Sequence, residues 1–402
     1  MRKIVAALSV LAVVSFALAQ TAPVSAPTRP NNDYSTLVPK LVRAPGPRSQ
    51  PVFSSPPENY SGISGPGQPV IGDGSGGYRT GKDGVLYKGP DPKPGWHTDW
   101  GNRANGAAYK AGLLPNLKPI WDLHLRDTTI ALAEDGNYYM TGSSGDNIWD
   151  IVDGVELWKS ADLKKWDYLG LVWSVDRDGT WEKQYRRVWA PEIHFIKHTF
   201  CIAYCMQGGG TGILISKTGK PEGPYINPIT ADKPLTNGID ATIFQDDDGK
   251  VYFTNGSASR IYLMKDDLSG FDGPAHSIQF IADPKYCDGR KNLGHEGASL
   301  FKANGKYYLG AADTYQGRYS SMCAVADNIF GPYGKIHEAV PCGGGTNYFK
   351  DKQGNWFDCI FGNDDSSNWR EKPGIVKIEF TADDTIEVSK NQPDFVQVNG
   401  ER

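Results

Sequence analysis

From about residue 121 the chain settles into a repeating texture of short alternating strands broken by tight polar turns. Five segments share one form, a tight turn followed by an aromatic strand: EDGNYYMTGSS, IHFIKHTFCIAYCM, DDDGKVYFTNGS, KANGKYYLGAAD and DKQGNWFDCIFGND. Asp-Gly, Asn-Gly and Gln-Gly are hairpin chemistry, because glycine accepts positive φ. The turns centre on Gly136, His198, Gly249, Gly305 and Gly354, at intervals of 62, 51, 56 and 49 residues (198−136, 249−198, 305−249, 354−305). A second alternating strand with a polar exit follows most of them, in VELWKSADLKKWDYLG, GILISKTGKPEGPY, IYLMKDDLSGFDGP and MCAVADNIFGPYG. Each repeat therefore carries several antiparallel strands and no long helix. Radial repetition of four-stranded sheets is a propeller, so the pattern predicts an all-β fold, a five-bladed β-propeller.

Upstream the texture differs. Residues 20–95 are crowded with Pro, Gly and Ser (TAPVSAPTRPNND, RAPGPRSQPVFSSPPENYSG, GPGQPVIGDGSGG) and lack the apolar surface to offset ordering. They read as an N-terminal linker ahead of a domain over 96–402. Residues 1–19 pair Arg2 and Lys3 with an apolar stretch from Ile4 to Phe16 and an Ala17-Leu18-Ala19 cleavage signal. That is the pattern of a signal peptide, too short for a comfortable membrane span. The expectation is a secreted or periplasmic protein starting at Gln20, with no membrane contact in the mature form and a monomeric state.

Composition adds 47 Gly, 11 Trp and 20 Tyr to the β reading. The net charge is −4, without a basic block, which excludes nucleic acid as an expected partner. The six cysteines (201, 205, 287, 323, 342 and 359) show no paired zinc spacing. Cys201 and Cys205 fall on one face of a strand and read as buried free thiols. Asp246, Asp247 and Asp248 read as a solvated turn, because the later Glu of a calcium loop is missing.

In a propeller the first strands of all blades converge on the central channel, so acids at their starts would share a pocket. Asp127, Asp240 and Glu296 each stand nine residues before a turn glycine (136−127, 249−240, 305−296). The second and fifth repeats carry no acid at that offset, with Glu192 six residues before His198 and Thr346 near the place in the last. Clustered carboxylates raise one another's pKa, and a site holding one ionised and one protonated carboxyl can run acid–base glycoside hydrolysis. Trp and Tyr nearby suit stacking on sugar faces.

The blocks RDTTI, WAPEIH, GIDATIFQDDDGKVYF, HEGASLFKANGKYYL and GIVKIEF, in this order, resemble glycoside hydrolase family 43. The resemblance spans about residues 121–385. It implies an inverting glycosidase of the arabinofuranosidase, xylosidase or galactofuranosidase type acting on oligosaccharide or polysaccharide. It implies Asp127 as general base, Asp240 as the residue that tunes and orients the acid, and Glu296 as general acid, with carboxyl groups roughly 6.5–9.5 Å apart. A carbohydrate-binding propeller without catalysis is the alternative. Two departures stand out: Asp127 is followed by Thr128 where the family often has Pro, and Gly344-Gly345-Thr346 replaces a Gly-His. No cofactor is required by the resemblance, and a structural Ca2+ at the propeller centre is left open.

Three further residues are candidate substrate-binding groups. Trp189 resembles a pocket wall or packs between blades. Arg126 pairs with a carboxylate, binds a hydroxyl or lies solvated. Arg370 falls where related enzymes carry a substrate-facing arginine. His295, adjacent to Glu296, is expected to turn to the opposite face and pack structurally.

Overall fold

The five expected turns close five hairpins, in two classes. In three blades a five-residue loop carries Gly136, Gly249 or Gly354 at φ of +73°, +83° and +83°. In the other two a two-residue loop is built from Lys197-His198 and Asn304-Gly305, all with positive φ. A computed structural model describes residues 112–121, 124–144, 152, 154–185, 187–228, 233–363, 367 and 371–397. It also gives the backbone of a small antiparallel pair, β1 (Tyr78–Thr80) with β2 (Leu86–Lys88). Residues 1–19 and the rest of the 20–95 segment lie outside the described residues.

Each blade is one uninterrupted stretch of chain folded as a four-stranded antiparallel meander. Blade 1 holds β3 (Arg126–Leu132), β4 (Tyr138–Ser143), β5 (Gly154–Ser160) and β6 (Asp167–Ser174). Blade 2 holds β7 (Val188–Ile196), β8 (Thr199–Met206), β9 (Gly210–Ser216) and β10 (Tyr225–Ile226). Blade 3 holds β11 (Ala241–Gln245), β12 (Val251–Asn255), β13 (Arg260–Leu263) and β14 (His276–Ser277). Blade 4 holds β15 (Glu296–Ala303), β16 (Lys306–Tyr315), β17 (Arg318–Ala326) and β18 (Gly334–Val340). Blade 5 holds β19 (Gly344–Lys350), β20 (Trp356–Phe361), β21 (Pro373–Phe380) and β22 (Ile386–Val388).

The first strands pack in a closed cycle, β3 on β7, β7 on β11, β11 on β15, β15 on β19 and β19 on β3. Both faces of every sheet are thereby covered, and the core divides into five apolar seams between neighbouring blades. Tyr139 and Trp173 of blade 1 meet Phe200 and Tyr204 of blade 2 in one seam. Ile130 and Met140 meet Phe349 and Phe357 of blade 5 in another. Cys201 lies in the seam between blades 2 and 3, and all six cysteines are free thiols. The ring is closed by hydrogen bonds from the lead-in segment to the end of the chain. Lys118 N–H donates to Val396 O (3.0 Å), Ile120 N–H to Pro373 O (2.7 Å) and Leu125 N–H to Glu371 O (3.1 Å).

A first strand at a hub exposes one edge of unpaired backbone groups, which cost free energy if left unsatisfied. Polar side chains of neighbouring blades cap them. Thr129 Oγ1 accepts from Ile193 N–H at 2.9 Å, and Gln245 Oε1 from Lys197 N–H at 2.9 Å. These caps fix the relative height of the blades, and so of the acids they carry.

Candidate active site

Four of the five first strands open with a slip in the ladder, and β11 pairs without one. The ladder slips between Arg126 and Thr129, Trp189 and Glu192, Glu296 and Ser299, and Gly344 and Asn347. One residue at each entrance takes the left-handed conformation: Asp127 (φ 51°), Ala190 (42°), Asp240 (54°), Gly297 (67°) and Gly345 (67°). Bulges of this kind re-aim a side chain, and Asp tolerates the left-handed region better than most residues.

These five positions define the true register of the hub, and they correct the counting made on sequence. Asp127, Asp240 and Gly345 stand nine residues before their turn glycine, in the blades with five-residue loops. Ala190 and Gly297 stand eight before the corresponding turn residue (198−190, 305−297), because their blades use two-residue loops. Glu296 is thus one residue upstream of the position held by Asp127 and Asp240. It shares its register with Arg126, Trp189 and Gly344.

The structure nevertheless brings the three acids together. Asp127 Oδ2 accepts from Ser143 Oγ at 2.7 Å, and Ser143 Oγ in turn accepts from Ala190 N–H at 2.7 Å. Asp240 Oδ2 accepts from the N–H of Gly297 at 2.7 Å, so it grips the residue that follows Glu296. Glu296 Oε1 accepts from Tyr319 OH at 2.8 Å. Gly345 leaves room for this cluster: a Cβ there would collide with the Phe361 ring and stand 3.4 Å from Asp127 Oδ1.

The three carboxyls feel one another, but their surroundings differ. Burial raises the pKa of Asp127, with Arg126 and Ser143 pulling the other way. Asp240 is pushed well above the usual carboxylate range by burial and by the charges of Asp127 and Glu296. The hydrogen bond from the Gly297 N–H pulls the other way. For Glu296 burial also acts upward, but His295, Tyr319 and Arg126 outweigh it and hold the carboxyl below its ordinary value. The cluster thus pushes Asp240 and Glu296 in opposite directions, Asp240 upward and Glu296 downward.

Arg126 is buried and committed to protein partners. Its Nη1 donates to Glu371 Oε1 (2.9 Å), Glu371 Oε2 (3.0 Å) and Asn363 Oδ1 (2.9 Å), and the guanidinium lies 4.2 Å from the Phe361 ring centre. It is a fixed positive charge behind Asp127 and Glu296, not a solvated side chain. Trp189 is half-buried at the hub entrance of blade 2, with its carbonyl accepting from the Cys205 thiol at 3.2 Å. Arg370 lies outside the described residues. His295 departs from expectation: the bulged entrance breaks strict alternation, and its Nε2 lies 3.6 Å from Glu296 Oε1 instead of on the opposite face.

Sequence reasoning missed Ser143, Tyr319 and Gly297. Ser143 ends β4 and Tyr319 is the second residue of β17, so neither stands on a first strand, and only the cross-strand register (Arg126 opposite Ser143) reveals the former. Further along the first strands the register equivalents are Thr129, Glu192, Thr242, Ser299 and Asn347. Among them Glu192 is buried and accepts from, or shares a proton with, His194 (Nε2 to Oε2, 3.1 Å). Among the described residues no three His, Cys, Asp or Glu side chains are grouped to hold a metal ion. A cavity of about 490 Å3 opens at the far ends of the first strands, lined by Leu132, Phe195, Phe244, Phe301 and Phe349 among others, and does not include the acids.

Fold and hub together define a five-bladed propeller with an acidic centre of carbohydrate-hydrolase type. The model of glycosyl hydrolases family 43 matches residues 117–386, and the chain belongs to that family. It is similar to a β-D-galactofuranosidase of Aspergillus niger (28% identity, 46% of this chain and 56% of that one). It is also similar to an arabinoxylan arabinofuranohydrolase of Bacillus subtilis (24% identity, 57% and 50%). The chain thus spans about half the length of these relatives. A solved structure described as an endo-1,4-β-xylanase from Bacteroides thetaiotaomicron shares the fold, with 22% identity, a TM-score of 0.52, and 69% and 98% of the two chains covered.

Proposed function

We propose that this protein is an exported glycosidase that hydrolyses arabinofuranosidic, xylosidic or galactofuranosidic bonds of a plant or microbial polysaccharide with inversion at the anomeric carbon. The observation that carries this reading is the meeting of three unlike carboxyls at the entrances of three first strands. Asp127, fixed by Ser143 and backed by Arg126, takes a proton from the attacking water. Glu296 protonates the departing glycosidic oxygen. Tyr319 occupies its Oε1, which leaves Oε2 to carry that proton. Asp240 holds the Gly297 N–H and thereby sets the height at which Glu296 enters the hub, while its own neutral state limits the charge that Glu296 faces.

The names borne by the relatives support the choice of sugars, and the leader-like pattern of residues 2–19 supports export. No metal takes part in this scheme. The test is a panel of aryl arabinofuranosides, xylosides and galactofuranosides. One class is expected to turn over, with Asp127→Asn and Glu296→Gln each lowering kcat by roughly 10²–10⁴. Binding of the sugars without turnover would replace this reading with that of a carbohydrate-binding propeller.

A further inference from the structure

Blade 4, which carries Glu296, is built differently from its neighbours at the hub entrance. In blades 2 and 3 the second strand ends level with the entrance of the first, at Met206 opposite Val188 and Asn255 opposite Ala241. In blade 4 that level is Ala312, opposite Glu296, yet β16 and β17 stay paired for three residues more, to Tyr315 opposite Arg318. At about 3.3 Å per residue the hairpin continues roughly 10 Å past the acid.

Asp313, the first residue of that extension, is tied on three sides. Its Oδ1 accepts from Thr314 N–H at 2.8 Å and lies 2.9 Å from His295 Nδ1, and its Oδ2 accepts from Arg290 Nη2. Arg290 is fixed in turn by Asn292, whose carbonyl accepts from Nε at 2.8 Å. The His295 N–H donates to Ala312 O at 3.0 Å, so backbone and ring are both anchored. The support is sheltered and the ring it holds is not: the side chains of Arg290 and Asp313 are 15% and 19% exposed, that of His295 52%. Nδ1 is spent on Asp313, whereas Nε2 has no hydrogen bond among the described residues. Glu296 Oε1, 3.6 Å from Nε2, is out of hydrogen-bond reach and already accepts from Tyr319 OH at 2.8 Å. The free end of an aimed ring thus stands in the open beside the acid.

Resting on the glycosidase reading above, we propose that His295, oriented by Asp313 and Arg290, receives the leaving sugar, with Nε2 hydrogen-bonded to a hydroxyl neighbouring the scissile oxygen. In an inverting site the acid stands on the leaving-group side and the base across the sugar from it. His295 adjoins the acid in chain and in space, so it meets the departing residue and not the unit that water attacks. A hydroxyl both donates and accepts, and so pairs with Nε2 whether or not the ring is protonated. The substrate class narrows accordingly to saccharides whose departing group is itself a sugar, since an alkyl group offers Nε2 no partner.

The test compares a disaccharide with the methyl glycoside of the same glycosyl unit. Both have poor leaving groups that need a proton from Glu296, but only the disaccharide brings hydroxyls to His295. His295→Ala should lower kcat/KM for the disaccharide roughly 10–100-fold more than for the methyl glycoside, the worth of one hydrogen bond to the substrate. His295→Gln, whose amide still meets a hydroxyl, should recover part of that difference. Asp313→Asn, which loosens the ring without removing it, should show a smaller difference in the same sense. Equal losses on the two substrates would mean that His295 acts through Glu296 or through the fold, and would overturn the proposal, as would no loss on either. A wild-type protein that turns over neither compound sinks the glycosidase reading and this proposal with it, whereas turnover with equal losses sinks the proposal alone.

Discussion

Ser143→Ala is the perturbation whose consequences the structure specifies most fully. Ser143 Oγ donates to Asp127 Oδ2 and accepts from Ala190 N–H, both at 2.7 Å. The substitution removes a hydrogen bond to a charged group, worth about 1.5–3 kcal/mol. At about 1.36 kcal/mol per pH unit, losing it raises the pKa of Asp127 by about one to two units. Asp127 works as a base only above its pKa, so the acidic limb of kcat/KM moves up by that amount while the alkaline limb stays. The variant is then roughly 10–100-fold slower on the acidic side and recovers much of the loss at higher pH. The Ala190 N–H is also left unpaired in a buried place, at a cost of about 1–3 kcal/mol. That lowers Tm by about 2–4 °C for each kcal/mol. Ser143→Thr keeps the hydroxyl and should restore most of the acidic limb. The assay is a pH–rate profile of the three proteins on an aryl glycoside. An unmoved acidic limb in Ser143→Ala, or a moved alkaline limb, would refute the assignment of Asp127 as the base held by Ser143.

Three further outcomes follow from packing and charge. Arg126→Met should destabilise the fold by about 3–5 kcal/mol in urea titrations, because Glu371, whose carboxyl Arg126 and His124 bring down to about 2 against its burial, is left without its guanidinium; Glu371→Gln in the same chain should recover part of the loss. Gly345→Ala puts a Cβ at positive φ against the Phe361 ring, and should cost about 2–5 kcal/mol and reduce turnover through the displaced Arg126. Asp358 is fully buried in blade 5 beside Tyr348, and burial raises its pKa well above the usual range. The folded state thus binds a proton that the unfolded chain releases above about pH 4. Its contribution to stability is intact below that pH and is lost as pH rises toward the folded value. Asp358→Asn should therefore gain stability over wild type between about pH 4 and pH 8, and parallel urea stability curves would contradict this.

The blades were legible because hairpin chemistry is local. Asp-Gly, Asn-Gly and Gln-Gly fix turns through backbone conformation alone, and even Lys197-His198 betrayed itself by its place in the repeat. The acids were legible because a propeller converts equal positions in the repeat into proximity. The count of nine residues nevertheless placed Glu296 in the wrong register, because the Asn304-Gly305 turn is shorter than the loops of blades 1 and 3. Its side chain still reaches the hub from one residue upstream. The support around the acids was hidden for a different reason. Ser143, Tyr319 and Asp313 come from second and third strands, and their approach to Asp127, Glu296 and His295 depends on cross-strand register and bulges, which no local pattern encodes. His295 was misplaced by the same bulge, since alternation fails where the ladder slips.

Inversion requires that one carboxyl activates water on one side of the sugar while another protonates the leaving oxygen on the other. The most direct test is NMR observation of the first sugar released from a pure anomer of an accepted glycoside. The opposite anomer should appear first and then mutarotate, and Asp127→Asn should abolish its formation. Release of the same anomer as the substrate would mean a covalent intermediate, and would contradict Asp127 as the base and Glu296 as the acid of a single displacement.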